Sequence, residues 1–299
     1  MEIDQLLTEE PELISSYDDL RARPDFEEAL AFFPHDQRRF GAVLAPYRFQ
    51  DRVSCGIASC RQPHLTGYLI STSDGKETAI GGDCGRTHFG VSFNRERKRI
   101  DALIDRRRRI DTITAMIEGL GAMMPLIEQL DRDYQALVQL KQRLMGAIGT
   151  VTYQRLKGRA ERGYAAIEKE VPMTEREAEA FFATSNRRPD DGLGWPTNTV
   201  VLARIDGLDF FKGDTKTLMI SNLITPIRNL ATTSPADVLT MKPRALGATA
   251  KWVGEVPMHL ARAQAVVAAG NAFFSASNLQ HLALLGASAA PLQLMIETL

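Results

Sequence analysis

The chain has 299 residues, 36 basic and 37 acidic side chains, a formal net charge of -1 and 44% apolar composition, which fits a folded protein of about two domains and excludes wholesale disorder. It has no unbroken apolar run long enough for a bilayer and no basic-then-apolar leader at Met1, so the sequence predicts a cytoplasmic protein with no membrane partner. The three cysteines are an odd number, and in a reducing compartment they read as metal ligands before they read as a disulfide framework.

The near-zero net charge hides an asymmetry. Residues 1–36 carry eleven acidic and two basic side chains, whereas residues 37–110 carry fifteen basic and seven acidic ones. The local field of the second block, not the overall balance, decides which partners are attracted.

Residues 1–39 read as an acidic helical segment. Ile3, Leu6 and Leu7 recur at helical spacing, and Phe26 to Phe33 reads as a further amphipathic turn or two. This segment is either a solvated acidic face or a flap that pairs with the basic block. Residues 40–54, with Phe40, Val43, Leu44, Tyr47 and Phe49, predict one or two short strands leading into Cys55.

All three cysteines lie between Cys55 and Cys84, in company with His64 and His88. Thiolate and imidazole are the ligands Zn2+ prefers, and four of them in two short groups can close a tetrahedral shell. Between the groups, Tyr68-Leu69-Ile70, the turn signal Asp74-Gly75 and Thr78-Ala79-Ile80 predict a hairpin that returns the second group toward the first. Gly81-Gly82 leads into Cys84, and Cys84 and His88 share a helix face if Asp83 caps a helix there. The expected ligands are Cys55, Cys60, Cys84 and His88. Cys60, His64, Cys84 and His88 form a rival set of two Cys-x3-His pairs, with His64 as the alternate ligand.

The order of knuckle, hairpin and helix start is that of a treble-clef finger. The run Asp74-Gly75, Ile80-Gly81, Cys84-Gly85 and Phe89-Gly90 after an upstream cysteine pair resembles small zinc-binding modules of phage and mobile-element proteins, over residues 54–90 only. The resemblance implies a nucleic-acid association. The chain departs from the commoner pattern by placing four residues, Gly56 to Ser59, between the first two cysteines. The absence of a His-Glu-x-x-His helix and of the zinc-deaminase signature points to a structural ion and a non-enzymatic protein, with a zinc hydrolase as the weaker alternative.

From Ser92 or Asn94 the sequence predicts a long basic helix. Arg95, Lys98, Arg99, Arg106 and Arg109 fall in one broad sector, opposite Ile100, Leu103 and Ile104, and they are the candidate phosphate contacts for DNA or RNA. Asp101 and Asp105 can pair with Arg108 and Arg109, which is the competing account of the same charges.

Leu103, Ile110, Ile117 and Met124, with Ile113, Leu120, Ile127 and Tyr134 beside them, repeat at coiled-coil spacing. Gly119, Gly121 and Pro125 predict a kink or a helical hairpin. Helices over residues 100–146 are candidates for homo-oligomer contact, and a scaffold role is the alternative function. A third helix is expected over 152–170, and Thr174 with Glu177 forms a capping box for a fourth.

Residues 184–198 are turn-rich and hold Trp195, a candidate base-stacking residue. Thr199 to Phe211 predicts a small hairpin around Asp206-Gly207, and the rest reads as helices. The expected fold is mainly α, with four segments: 1–39 acidic, 40–92 the small β-hairpin zinc module, 93–183 the basic helix and helical hairpin or coiled coil, and 199–299 an α-rich C-terminal domain.

Overall fold

The computed structural model describes residues 14–32 and 38–299. The expected helix around Ile3, Leu6 and Leu7 lies outside them. The chain is mainly α, and it divides into two compact units, Met1–Glu118 with Thr233–Val253, and Gly119–Thr232 with Gly254–Leu299. Neither unit is one continuous stretch of chain.

The first unit is built on a three-stranded antiparallel sheet in the order β1-β2-β3: β1 (Phe40–Ser54), β2 (Pro63–Thr72) and β3 (Glu77–Gly81). β1 is a single 15-residue strand, and shifts of register with β2 break its regularity, as bulges do where a strand must bend. The Asp74-Gly75 turn forms as expected between β2 and β3, with Gly75 at φ +83°.

Both faces of the sheet are covered. On one, Val43, Ile70 and Ile80 pack with Cys55, Cys84, Phe93, Ile100 and Leu103; on the other, Tyr47, Phe49, Val53, Leu69 and Ala79 pack with Leu20. Alternation along β2, with Leu69 facing one way and Ile70 the other, is what the pleat requires.

Ahead of the sheet a short helix, α1 (Tyr17–Arg21), starts at a capping box made by Ser16 and Asp19. Phe26 to Phe32 is not helical, contrary to its periodicity. Its backbone groups are used elsewhere: the Glu27 N–H donates to the Glu77 carbonyl at 2.8 Å and the Leu30 N–H to that of Gly56 at 2.7 Å. Paired outward in this way, they are not available for a helical ladder.

α2 (Gly82–Arg162) follows β3 directly. Of the kink or helical hairpin expected at Gly119, Gly121 and Pro125, the hairpin does not form, since Pro125 lies inside the continuous helix. The left-handed residues within it are instead Gly90 (φ +55°) and Gly149 (φ +72°), where the backbone departs locally from helical dihedrals. A proline removes one hydrogen bond and crowds the carbonyl four residues back; here that residue is Gly121, which has no side chain to resist the adjustment. α2 also contains an 18-residue window with a mean hydropathy of 1.3, long and apolar enough to cross a membrane, and 17% of it is buried. Its interspersed charges hide that window from a search for unbroken apolar runs.

In the second unit the helix expected to reach residue 170 stops at Arg162, and β4 (Ala166–Pro172) pairs antiparallel with β5 (Thr197–Arg204). The predicted hairpin around Asp206-Gly207 is therefore replaced: β5 takes its partner from upstream, and Leu208–Phe211 is a 3-10 turn. α3 (Glu175–Thr184) begins at the expected Thr174–Glu177 capping box. A π-helical stretch (Thr217–Ile224) then runs into α4 (Thr225–Ala231).

α5 (Pro235–Thr240), within the first unit, is capped by Ser234. α6 (Pro243–Phe273), α7 (Ala276–His281) and α8 (Ala289–Glu297) complete the chain. Phe210, Phe211, Phe273 and Phe274 form the aromatic centre of the second unit, with the Phe211 and Phe273 rings 4.5 Å apart.

Candidate metal centre

Three different elements deliver the three thiols to one point. Cys55 follows the last residue of β1, Cys60 lies in the turn before β2, and Cys84 sits in the first turn of α2. Their sulfurs all lie within 4.8 Å of one another, and Cys60 Sγ is 3.2 Å from Cys84 Sγ. A disulfide needs about 2.05 Å, whereas sulfurs at about 2.3 Å from a shared tetrahedral ion stand about 3.8 Å apart. The three can therefore serve a single ion.

The turn that carries Cys55 and Cys60 is fixed by its backbone. The Cys60 N–H donates to the Ile57 carbonyl at 2.8 Å, and the Cys55 N–H to that of Gln62 at 3.1 Å. The backbone amides of Ile57 and Gly81 act to lower the pKa of Cys55, and that of Gln62 acts to lower the pKa of Cys60. Such donors favour thiolate, the form that binds metal.

For Cys60 this influence prevails, chiefly that of the Gln62 amide, and its pKa falls. Burial wins at the other two: the Cys55 thiol is pushed up, and that of Cys84 is pushed up to about 12, with its sulfur neighbours adding to the shift. Thiols that resist ionisation when no ion is present, held in contact with one another, are what a cation would relieve.

Arg61, the residue after Cys60, has φ +51° and is the one non-glycine in the left-handed region among the described residues. Its guanidinium donates to the Glu28 carbonyl at 2.8 Å, so the strained turn is tied to the segment that lies along it.

Gly56 sets how closely this turn lies on β3. Its N–H donates to the Ala79 carbonyl at 2.7 Å, and a Cβ added there would stand 1.9 Å from Thr78 Oγ1 and 2.9 Å from the Ala79 oxygen. Thr78 is fully buried and holds the Glu27 carbonyl at 2.6 Å, so it cannot swing aside. Gly56→Ala should destabilise the first unit by about 2–3 kcal/mol and weaken metal uptake with it, as read by urea unfolding alongside a chelator-competition titration.

Neither candidate histidine, His64 nor His88, belongs to the group of ligand atoms within 4.8 Å, which holds the three cysteines alone among the described residues, and the two rings differ in setting. His88, one turn beyond Cys84, is exposed, and its ring neighbours Phe89 at 6.3 Å. His64 is half-buried on β2, with Nε2 2.7 Å from the Tyr47 hydroxyl and Nδ1 3.2 Å from the Gln62 carbonyl. Burial lowers its pKa and keeps the ring neutral, the form a metal takes.

The five candidate phosphate contacts are not equivalent. Arg95 is 79% exposed and Lys98 is exposed. Arg99 is 18% exposed, with Nε 3.1 Å from Glu96 and a longer bond to the Val43 carbonyl. Arg106 donates to the carbonyls of Leu239 and Met241 at the end of α5, and the Arg109 guanidinium lies 3.2 Å from where a Gly247 side chain would begin.

Arg48 and Arg52 stand in no motif that singles them out in the sequence. Both are exposed, and they line a cavity of about 730 Å3 beside the cysteine turn together with Arg21 and Arg61 and with the carboxylates Asp18, Glu28 and Asp51. The basic surplus of residues 37–110 is the one signal that points to them. Trp195, the candidate stacking residue, donates its indole N–H to the Met173 carbonyl at 2.7 Å and meets Phe182 edge-on at 6.4 Å, with half its surface exposed.

Comparison with protein-family models, with curated proteins and with solved structures finds no match. The chemistry of the site is therefore read from its own geometry.

Proposed function

We propose that this chain is a non-enzymatic, zinc-stabilised nucleic-acid-binding protein of the treble-clef kind seen in phage and mobile-element modules. The observation that carries the reading is the convergence of Cys55, Cys60 and Cys84 within 4.8 Å, inside the one block of sequence with a large positive surplus. A thiolate-rich set selects zinc over the hard cations. The ion would tie the end of β1, the start of β2 and the first turn of α2 together, and so hold the exposed Arg95 and Lys98 on α2 and Arg48 and Arg52 on β1 in fixed relation to it.

Arginine forks suit phosphate oxygens. Arg99 and Arg106 hold the fold through the groups named above and Arg109 is half-buried, which leaves the contacting role to the exposed members. Anisotropy titrations of the zinc-loaded full chain with random DNA and RNA oligonucleotides, across about 50–200 mM salt, should give an affinity that falls steeply. Changing Arg95 and Lys98 together to alanine should flatten the log–log slope by about 0.9 for each phosphate that the variant no longer neutralises. An unchanged slope and affinity would reject these two residues as phosphate ligands.

The scaffold reading has an observation of its own, the 18-residue apolar window of α2 of which 17% is buried. Large exposed apolar patches mark association surfaces. Failure to bind any of the oligonucleotides, by a chain that still takes up zinc, would favour it.

A further inference from the structure

We infer that His64, through Nδ1, is the fourth ligand of the ion held by Cys55, Cys60 and Cys84, with Tyr47 as the outer partner that orients the ring. This rests on the metal reading of the three cysteines and completes it.

Gly81 gives the decisive geometry. The point where its side chain would begin is 3.5 Å from His64 Nδ1 and 3.7 Å from Cys84 Sγ. The imidazole and the thiol thus flank the same space, although the ring lies outside the group of three sulfurs that stand within 4.8 Å of one another, so binding requires it to move toward them. Gly81 lies beside both Cys84 and the histidine, and leaves the space between them open.

The other ring nitrogen is already occupied as a ligand's should be. A metal-bound imidazole usually donates its second N–H to an oxygen, which fixes tautomer and orientation. His64 Nε2 lies 2.7 Å from the Tyr47 hydroxyl, and that hydroxyl in turn reaches the Ile80 carbonyl at 3.4 Å. Tyr47 is 5% exposed and stacked on Phe49 at 4.6 Å, so its hydroxyl is a fixed point.

Binding would place the single imidazole proton on Nε2, donated to Tyr47, and exchange the 3.2 Å contact of Nδ1 with the Gln62 carbonyl for the ion. His88 has none of these features: it is exposed, and no hydrogen bond from the described residues reaches its ring. Three thiolates and one imidazole form a closed structural shell with no position left for a reacting water.

The full-length chain loaded with Co2+ or Zn2+ tests this. X-ray absorption should find three sulfurs at about 2.3 Å and one nitrogen at about 2.0–2.1 Å. His64→Ala should weaken the ion by about 100-fold or more in chelator competition and change the Co2+ ligand-field spectrum, while His88→Ala leaves both as they were. His64→Cys, which offers a fourth sulfur, should restore binding with an all-sulfur spectrum, and this separates loss of a ligand from loss of the fold. Tyr47→Phe should cost about 10–100-fold.

If the unaltered chain takes up no ion, the metal reading itself falls. If it takes up one and His64→Ala changes neither affinity nor spectrum, whether or not His88→Ala does, the His64 assignment is overturned and the cysteine site stands.

Discussion

Stripping the ion with a strong chelator, or replacing Cys84 by serine, should lower the melting temperature of the first unit by about 8–16 °C. The size follows from linkage. An ion present at a thousand times its dissociation constant stabilises the form that binds it by about 4.1 kcal/mol, and each kcal/mol moves the midpoint of a chain this large by about 2–4 °C. Cys55 and Cys84 are buried at 0% and 8% exposure within a hydrophobic core of this unit, so releasing them loosens packing as well as coordination. Calorimetry before and after chelation checks it, and an unchanged melt would mean that no ion supports the fold.

Acid and alkali should act in opposite senses on the two forms. Without the ion, Cys84 holds its proton up to about 12, so its contribution is complete below the ordinary thiol value of about 8.5 and is lost as pH rises toward 12. With the ion bound, the ligands must be thiolates. Their folded pKa values then lie below the unfolded ones, and stability is lost as pH falls. A melt followed across pH with and without chelator should therefore show slopes of opposite sign.

How much of this was legible in the sequence depends on how local each signal is. Asp74-Gly75, the Thr174–Glu177 box and the Ser234 cap are decided by a few neighbouring residues, and each stands where the pattern placed it. The convergence of the three cysteines was legible too, because their close spacing in the sequence marks them as a group in a way that burial alone does not.

What escaped was set by distant chain. β4 reads as the tail of a helix because Glu168, Lys169 and Glu170 are exposed, and its partner β5 exposes Val200, Val201 and Leu202 by 44–48%. A two-stranded ribbon with so little buried shows no alternation to find. In α2 the glycines look alike in sequence, but only Gly90 and Gly149 take a left-handed φ, and nothing near Gly119 or Gly121 announces the difference. The arginine run likewise gives no sign that Arg106 serves carbonyls 133 and 135 positions away.

Gly207→Ala should be the most damaging single substitution in the second unit, at about 3–5 kcal/mol. Two costs combine. Gly207 has φ +67°, a conformation that costs an L-residue about 1–3 kcal/mol, and its missing Cβ lets the turn rest on α6, where an added methyl would stand 2.0 Å from the Ala269 oxygen and 2.6 Å from the Phe273 nitrogen. Both are backbone atoms of a helix, so no side-chain rotation relieves the overlap.

The turn cannot retreat either. Asn278, 3% exposed, accepts from the Asp206 N–H at 2.8 Å and donates to the Phe273 carbonyl at 2.9 Å, while Phe210 and Phe211 on the following turn are buried among Phe273 and Phe274. Gly270→Ala makes the useful comparison. Its added methyl would meet Leu137 Cδ1 at 2.5 Å and the Phe210 ring at 3.1 Å, side-chain atoms of the core and not backbone, so a smaller cost of about 1–3 kcal/mol is expected there. Urea unfolding of the two variants should rank them in that order. The ion should bind both as tightly as it binds the parent, because all three cysteines belong to the other unit and well-separated sites act independently.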